Sequence, residues 1–295
     1  MRITDSILLS DALLNQSRAS QQLATLSQES ASGNLINTPS DNPTGFSMVT
    51  SIDAQLTVLQ GRNTVAVAAA NNIDVASGAL SSAGDLLVQA KQIAIENANG
   101  TVDPATRAQA ATQVLGLVQQ MIQLGNTKGT NGYLFGGTDT TTPPFDAAGN
   151  FSGNNNVTQV AVADGVLVTS NVSGADAFTA AGGGTNVIAD MQALATALSS
   201  NNLSGITAGI DQMDTDREQV MGVMVDAGAR SSTLQASATL MSSLTTSTMN
   251  ARSTIDNAAT AQVYSELQAT QTAYQTALDV TQQVLSLESF QSRES

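Results

Sequence analysis

The stretch from Ile255 to Phe290 reads IDNAATAQVYSELQATQTAYQTALDVTQQVLSLESF, and its pattern decides the fold. Apolar or weakly polar residues recur there at steps of three and four, which place them on one stripe of a helix. The stripe consists of Ala259, Val263, Leu267, Thr270, Tyr274, Ala277, Leu278, Thr281, Val284 and Leu285. The remaining surface is Gln, Thr, Ser and Ala with almost no charge. The stretch therefore predicts a narrow amphipathic helix that needs a partner.

A second helix of the same type opens the chain. It is predicted from Arg2 to Ser32, with Gly33 in the left-handed position that ends a helix. We expect the two terminal helices to pair and then to assemble with other copies. The predicted assembly interface consists of Ile3, Ile7, Leu14, Leu23, Leu26, Val263, Leu267, Tyr274, Leu278 and Leu285.

Composition excludes several classes of function. The chain of 295 residues has a formal net charge of −14 and only two lysines, so it lacks the clustered Lys and Arg that bind nucleic acid or anionic membranes. It has no cysteine and no histidine, which removes disulfides, thiolate zinc sites and the commonest catalytic triads. We predict no catalytic residue, no metal and no cofactor, and hence a protein that is not an enzyme.

The acidic cluster at Asp211, Asp214, Asp216 and Glu218 lacks the glycine and closing glutamate of a calcium loop. Its members do not converge on one helix face, which favours a solvated face over a metal or acid–base site. The chain shows neither a signal peptide nor an apolar run near the length of a bilayer span, so we expect no membrane partner.

The order of patterns along the chain predicts a mainly α fold. Helical periodicity runs over residues 45–99, resumes behind an Asp103-Pro104 start, and returns from Val187 into a helix of some fifty residues that begins at Leu203. The alanine-rich stripes of residues 60–125 and 203–250 are predicted to form an intramolecular core. Between the outgoing and returning helices, residues 129–186 are rich in Gly, Asn and Thr, with an Asp-Gly hairpin signal at residues 160–168.

We therefore predict an elongated antiparallel helical bundle, or coiled-coil rod, with paired N- and C-terminal helices and a small β-rich insert. The predicted domains are a tube-forming assembly domain of residues 1–45 plus 256–295, a helical rod of residues 46–128 plus 187–255, and an outer insert of residues 129–186.

Specific motifs resemble those of the bacterial flagellins and their hook-associated relatives. The loop Ser32-Gly-Asn-Leu-Ile and the segment Pro39, Ser40, Asp41, Asn42, Pro43 look like the family's N-terminal signature, although Asn42 stands where a second aspartate is usual. Gly125-Asn126, residues 132–138 (GYLFGGT) and Pro144-Phe145 are similar to a segment typical of the member at the hook–filament junction. Residues 264–287 fit the family's last helix, whereas the polar tail Gln291–Ser295 departs from it.

The resemblance implies a structural adaptor that forms a ring between hook and filament. Its implied partners are other copies of itself, flagellin on the filament side, another hook-associated protein on the hook side and an export chaperone. It implies an extracellular place in the bacterial flagellum, reached through the flagellar type III export channel without a cleaved signal. Three alternatives stay open: flagellin itself, a signalling coiled coil of the chemoreceptor type, and a wall-lytic enzyme.

Overall fold

The computed structural model describes residues 2–257 and 260–291, and their side chains except those of residues 2–6, 8, 260 and 285–291. These residues form seven α-helices, a short 3-10 turn at Ala180–Gly182 and four short strands. The helices are α1 (Arg2–Ser32), α2 (Pro43–Asn97), α3 (Pro104–Gly125), α4 (Gly174–Phe178), α5 (Val187–Ser199), α6 (Leu203–Asp256) and α7 (Thr260–Gln291). The strands are β1 (Lys128–Gly129), β2 (Gly132–Tyr133), β3 (Gln159–Ala163) and β4 (Val166–Thr169). The prediction of a mainly α fold with a small β-rich insert is confirmed.

Helix ends lie where local chemistry requires them. α1 ends at Ser32, and Gly33 has a φ of +73°, a conformation that costs glycine little. α3 begins behind Asp103, whose side chain accepts hydrogen bonds from the backbone N–H groups of Ala105 and Thr106, and Pro104 occupies the first helical position. Both ends match the sequence prediction.

The C-terminal stretch is not one continuous helix, and this corrects the sequence prediction. α6 ends at Asp256, Asn257 forms an isolated antiparallel bridge with Asn34, and α7 begins at Thr260. The loop after α1 forms backbone hydrogen bonds with Asp256 and Asn257. These backbone groups are therefore not used to continue the helix. The other members of the periodic stripe belong to α7, and Ala259 lies outside the described residues.

The described chain divides into two compact units. The terminal unit comprises the described residues up to Val58 and from Thr245 onward, and the central unit comprises Leu59–Leu244. The three predicted domains and their boundaries stay a prediction.

The central unit holds the larger core. Buried alanines and leucines of α2 pack with residues of α3, α5 and α6, including Ile73, Leu87, Val118, Met191 and Val220. α3 packs along α5. The predicted intramolecular role for the stripes of α2, α3 and α6 is confirmed within this unit.

The insert has its own aromatic cluster. Phe135, Phe145 and Phe178 are fully buried, and the ring of Phe178 meets the other two edge-on at centroid distances of 5.3 and 5.7 Å. β3 and β4 form the predicted Asp-Gly hairpin, with a register shift between Ala161 and Ala163, and β1 pairs with β2. The short helix α4 is not visible in the sequence pattern because one turn and a half is too short for a periodic signal.

Candidate assembly surface

Among the described side chains of α1, one face is less exposed than the rest. Up to Leu26, its residues are separated by three or four positions, as a helix stripe requires, and they are Leu9, Ala12, Gln16, Ala19, Leu23 and Leu26. Ala12 and Leu26 are buried and the other four are half-buried, and half of the six side chains are small or polar. α1 packs along α7 in the terminal unit, so this stripe is used inside the chain.

The buried face of α7 is the stripe that the sequence predicts. Val263, Thr270, Thr281 and Val284 are buried, and Leu267, Tyr274, Ala277 and Leu278 are half-buried. Leu26 and Val263 form a small buried cluster against which Leu267 packs. Since large apolar side chains meet only near this end of the pair, the apolar contact between α1 and α7 is thin along the rest of the described side chains.

Three large apolar side chains of α1 are exposed outside its buried stripe. Ile7 is 55%, Leu13 50% and Leu14 51% exposed. Leu14 lies roughly 200° around the helix from the buried Ala12, at 100° per residue. On α7, Tyr264 is 58% and Val280 44% exposed. These five exposed residues lie off the two buried stripes, on more than one side of the helices, and we call them together the outward face of the helix pair.

A shallow groove adjoins this outward face. It is lined by small side chains of both helices, with Val280 at its edge, and it has a volume of about 500 Å³; its other lining residues are Ala12, Asn15, Ala269, Thr272, Ala273, Thr276 and Ala277. Small side chains such as alanine allow the backbone of another helix to approach closely.

The structure thus divides the ten predicted assembly residues between two faces. Leu23, Leu26, Val263, Leu267, Tyr274 and Leu278 belong to the intramolecular stripes, whereas Ile7 and Leu14 belong to the outward face. The side chains of Ile3 and Leu285 lie outside the described ones. The assignment of all ten to an intermolecular interface stays a prediction. Sequence reasoning missed Leu13, Tyr264 and Val280, whose signal is an apolar residue placed off the periodic stripe.

The signature loop is held rigid by its own side chains. The carboxylate of Asp41 accepts hydrogen bonds from the backbone N–H groups of Thr38 at 2.8 Å and Asn37 at 2.9 Å, and from the Thr38 hydroxyl at 2.9 Å. These bonds favour the charged form and hold the pKa of Asp41 below its usual value, the Thr38 N–H having the largest effect. Pro39 and Ser40 are the tip of the turn that Asp41 closes.

Asn42 and Pro43 begin α2. The Asn42 side-chain oxygen accepts a hydrogen bond of 2.9 Å from the N–H of Gly45, and Pro43 takes the first helical position. Asparagine thus performs the capping that an aspartate in this position would perform. A Cβ on Gly45 would lie 2.5 Å from Ile36 Cδ1 and 2.8 Å from the Asn42 side-chain nitrogen, so a larger residue would require both side chains to shift.

Three carboxylates approach each other at the level of this loop. Glu29 of α1 has a raised pKa, caused first by partial burial and then by the negative charges of Asp41 and Glu266. The repulsion weakens the pairing of α1 with α7 at neutral pH by a modest amount, because these groups are largely solvated.

The acidic cluster of α6 is only partly solvated, which corrects the sequence prediction. Asp211, Asp214 and Glu218 are exposed, but Asp216 is fully buried. Its Oδ1 accepts hydrogen bonds from the Thr185 hydroxyl at 2.6 Å and from the Gln212 amide at 3.0 Å. Burial raises the pKa of Asp216 to about 6, with the nearby charge of Asp190 acting in the same direction. The sequence could not show this, because the connector Gly183–Asn186 covers the side chain from a distant part of the chain.

The segments that carry the family resemblance also meet in the central unit. The Asn126 side chain forms two hydrogen bonds of 2.9 Å with the backbone of Phe145, and a Cβ on Gly125 would collide with the Phe145 ring at 2.7 Å. Gly137 has a φ of +74°, and a Cβ there would lie 2.1 Å from the carbonyl oxygen of Asn154. These glycines are therefore needed for close backbone approach within the insert.

Other kinds of site are not found in the part of the chain that the structure describes. There, no three His, Cys, Asp or Glu side chains are grouped so as to hold a metal ion. Among the same residues, no helix combines the length and the apolar character that crossing a bilayer requires.

The fold is of the type seen in flagellar hook-associated proteins. The flagellar hook-associated protein 3 (HAP-3) of Legionella pneumophila aligns with a TM-score of 0.60 at 15% identity, over 69% of this chain and 97% of that one. The flagellar junction protein FlgL from Legionella pneumophila aligns with a TM-score of 0.54 at 15% identity, over 70% of this chain and 100% of that one.

Sequence comparison leads to the same group. Residues 3–140 match the family described as bacterial flagellin N-terminal helical region. Flagellar hook-associated protein 3 of Salmonella typhimurium is 27% identical over 166 residues, which are 54% of this chain and 51% of that protein. The chain spans about half the length of this curated relative. The resemblance to the flagellins and their hook-associated relatives, predicted from the signature loop and the segment at 125–145, is confirmed.

Proposed function

We propose that this protein is a structural adaptor of the bacterial flagellum, placed between hook and filament. The observation that carries the proposal is the match of residues 3–140 to the flagellin N-terminal region, together with the similarity to proteins named for the hook and the junction. The protein acts by binding rather than by chemistry, so it is not an enzyme. Its place of action is the flagellum outside the cell, reached through the flagellar export channel.

The geometry supports an assembly that uses the terminal helices. α1 and α7 pair through a thin stripe and leave Ile7, Leu14 and Val280 exposed on the outward face. An exposed large apolar side chain gains about 1.5–3 kcal/mol when a partner buries it completely. Several such side chains on one helix pair favour packing against further helices, and the low charge of both helices avoids repulsion between identical neighbours.

The partners follow from this role. Copies of the chain form a ring, flagellin binds on the filament side, another hook-associated protein binds on the hook side, and a chaperone covers the terminal helices before export. The outward face is the surface that we assign to contacts between neighbouring helix pairs.

Deletion of the gene tests the function. We expect cells with complete hooks and no filaments, and flagellin released into the medium, because the surface on which the filament grows is missing. Electron microscopy of the hooks and an immunoblot of the medium measure both effects. The wild-type gene on a plasmid is the control that must restore filaments. Normal filaments on the deletion strain would contradict the proposed role.

Flagellin is the second candidate because residues 3–140 match the flagellin family as well. Copy number separates the two. A junction ring contains a small fixed number of copies per flagellum, whereas a filament subunit increases in number with filament length. Quantitative mass spectrometry of sheared flagella of different lengths distinguishes these outcomes.

A further inference from the structure

A buried carboxylate joins the end of α6 to the loop that follows α1. Asp256 is 1% exposed, and its Oδ1 accepts a hydrogen bond of 2.7 Å from the backbone N–H of Ile36. The N–H of Leu35 donates to the backbone carbonyl of Asp256 at 3.0 Å, and Asn34 forms an antiparallel bridge with Asn257. Loop residues 34–36 are therefore bound to Asp256, the last residue of α6, and to Asn257, which follows it.

An arginine one helical turn earlier extends this joint to α2. The Arg252 Nε donates to Asp53 at 2.7 Å, and its terminal nitrogen lies 3.4 Å from Asp256 Oδ2. Asp256 Oδ2 accepts no hydrogen bond, so its interaction with the positive charge of Arg252 is electrostatic only. Burying a carboxylate costs more free energy than burying a neutral side chain of the same size, and in some proteins such a group instead specifies one structural arrangement.

The contact between α1 and α7 does not by itself specify how the helices are aligned along their length. Its buried apolar cluster consists of Leu26 and Val263 with Leu267 beside them, and of the other members of the α1 stripe, Leu9, Ala12, Gln16, Ala19 and Leu23, only Ala12 is buried. A periodic stripe of mostly half-buried side chains repeats itself after a helical turn or two, so shifted pairings lose little contact. In coiled coils, a buried polar residue is the feature that selects one register.

We propose that Asp256 is a positioning residue that fixes the register of α7 on α1. It does so by tying the last turn of α6, which leads into α7, to the residues that directly follow α1. For assembly, a fixed register means that Ile7 and Leu14 of α1 always lie beside the same residues of α7 in the outward face. The fixed register is a property of the single chain, and only its consequence for assembly rests on the proposed function.

Cross-linking measures the register, and the chain has no native cysteine to interfere. A double variant with cysteines at Leu26 and Val263 reports the observed register. A second one with cysteines at Ser30 and Val263 reports a pairing shifted by four residues, or ~6 Å along α1. In the otherwise unchanged chain we expect the first pair to form a disulfide at least tenfold faster than the second.

Asp256→Ala removes the acceptor for Ile36, and we expect the rate ratio of the two cysteine pairs to fall toward one. Amide exchange of Ile36 becomes roughly tenfold faster, the change expected for loss of one buried hydrogen bond. Asp256→Asn keeps an acceptor oxygen and restores most of the ratio. Asp279→Ala, at an exposed acid of α7, is the matched control and leaves both readouts unchanged.

The outcomes separate the two proposals. An unchanged cross-linking ratio in Asp256→Ala, with circular dichroism showing a folded chain, overturns the role of Asp256 whatever the cells do. A changed ratio together with fewer filaments on cells that carry Asp256→Ala supports both steps. A changed ratio with normal filament number keeps the register role and rejects its link to assembly. Normal filaments in the complete deletion reject the proposed function and leave the register result intact.

Discussion

At the scale of single residues, two buried carboxylates are stabilised in different ways. Asp256 accepts a backbone hydrogen bond and lies near Arg252, so its charge has a cationic neighbour. Asp216 accepts from Thr185 and Gln212, which are neutral, and the charged group that acts on it is the carboxylate of Asp190. A buried acid without a cation retains its proton to higher pH.

Asp216 makes the stability of the central unit depend on pH. Burial raises the pKa of Asp216 to about 6 in the folded chain, whereas the ordinary pKa of an exposed aspartate is 3.8. Because the folded state binds the proton more tightly, its stability is highest below the unfolded pKa, falls as pH rises from ~4 to ~6, and remains lower above that range.

We expect Asp216→Asn to remove this dependence and to raise the free energy of unfolding by roughly 1–2 kcal/mol at pH 7.5 relative to wild type. Thermal melts followed by circular dichroism between pH 4.5 and 8 provide the measurement. Asp211→Asn, at an exposed position of the same helix, is the control and keeps the wild-type slope. If the stability of Asp216→Asn changed with pH as steeply as that of wild type, Asp216 would not titrate in this range.

The residue scale is also where sequence reasoning reached its limit. The capping of α3 by Asp103 and the end of α1 at Gly33 were predictable, because neighbours within four residues determine them. The burial of Asp216 and of Asp256 was not, because their partners Thr185 and Ile36 lie 31 and 220 positions away in the chain. Local spacing carries no information on such contacts.

At the scale of elements, the helices of the central unit are joined at their ends by polar side chains. Arg107 of α3 is 4% exposed and donates to the backbone carbonyls of Asn97 at 3.0 Å and Asn99 at 2.7 Å, and also to the side chain of Asn201. It therefore satisfies carbonyls at the C-terminal end of α2 and connects them to the turn between α5 and α6. The guanidinium donates to these three acceptors from three separate nitrogens, whereas a lysine would have to donate from a single nitrogen.

Arg107→Ala leaves these carbonyl groups without their donor in a buried place. We expect the free energy of unfolding to fall by about 2–4 kcal/mol, since hydrogen bonds from charged groups contribute more than neutral ones. Urea titration at fixed pH measures the change. Arg107→Lys should lose an intermediate amount, and Arg217→Ala, at an exposed arginine of α6, should lose almost nothing. Equal losses in Arg107→Ala and Arg217→Ala would contradict the capping role.

Element boundaries were predictable where periodicity is long, and the break between α6 and α7 marks the exception. The sequence around Asp256 and Asn257 contains no proline or glycine that would stop a helix. The helix stops there because the loop after α1 binds the backbone of the last turn. A tertiary contact has overridden a local preference, which a single sequence cannot reveal.

At the scale of the whole molecule, we predict separate roles for the buried stripes and the outward face of the terminal helix pair. Leu278 belongs to the stripe on which α7 depends inside the chain, whereas Leu14 is half exposed on the outward face. An added charge at either place should oppose assembly, but only the first should also disturb the isolated chain.

We expect Leu14→Asp to abolish filament formation and to leave the melting temperature of the purified protein within a degree or two of wild type. Leu278→Asp should abolish filaments as well and weaken the pairing of α7 with α1, while the core of the central unit remains folded. Motility plates and circular dichroism melts measure the two effects. Gln268→Asp, at an exposed polar position of α7, is the control. Filaments on cells with Leu14→Asp would rule out the outward face as a contact surface.

The pairing of α1 with α7 has a consequence for the order in which the chain acquires its structure. The buried face of α1 is covered by α7, more than two hundred positions later in the chain, so during synthesis α1 emerges long before the helix that covers it. Contacts of such long sequence separation form slowly, because closing the large intervening loop has an entropic cost. We therefore expect α1 to lack its packing partner until α7 has been made.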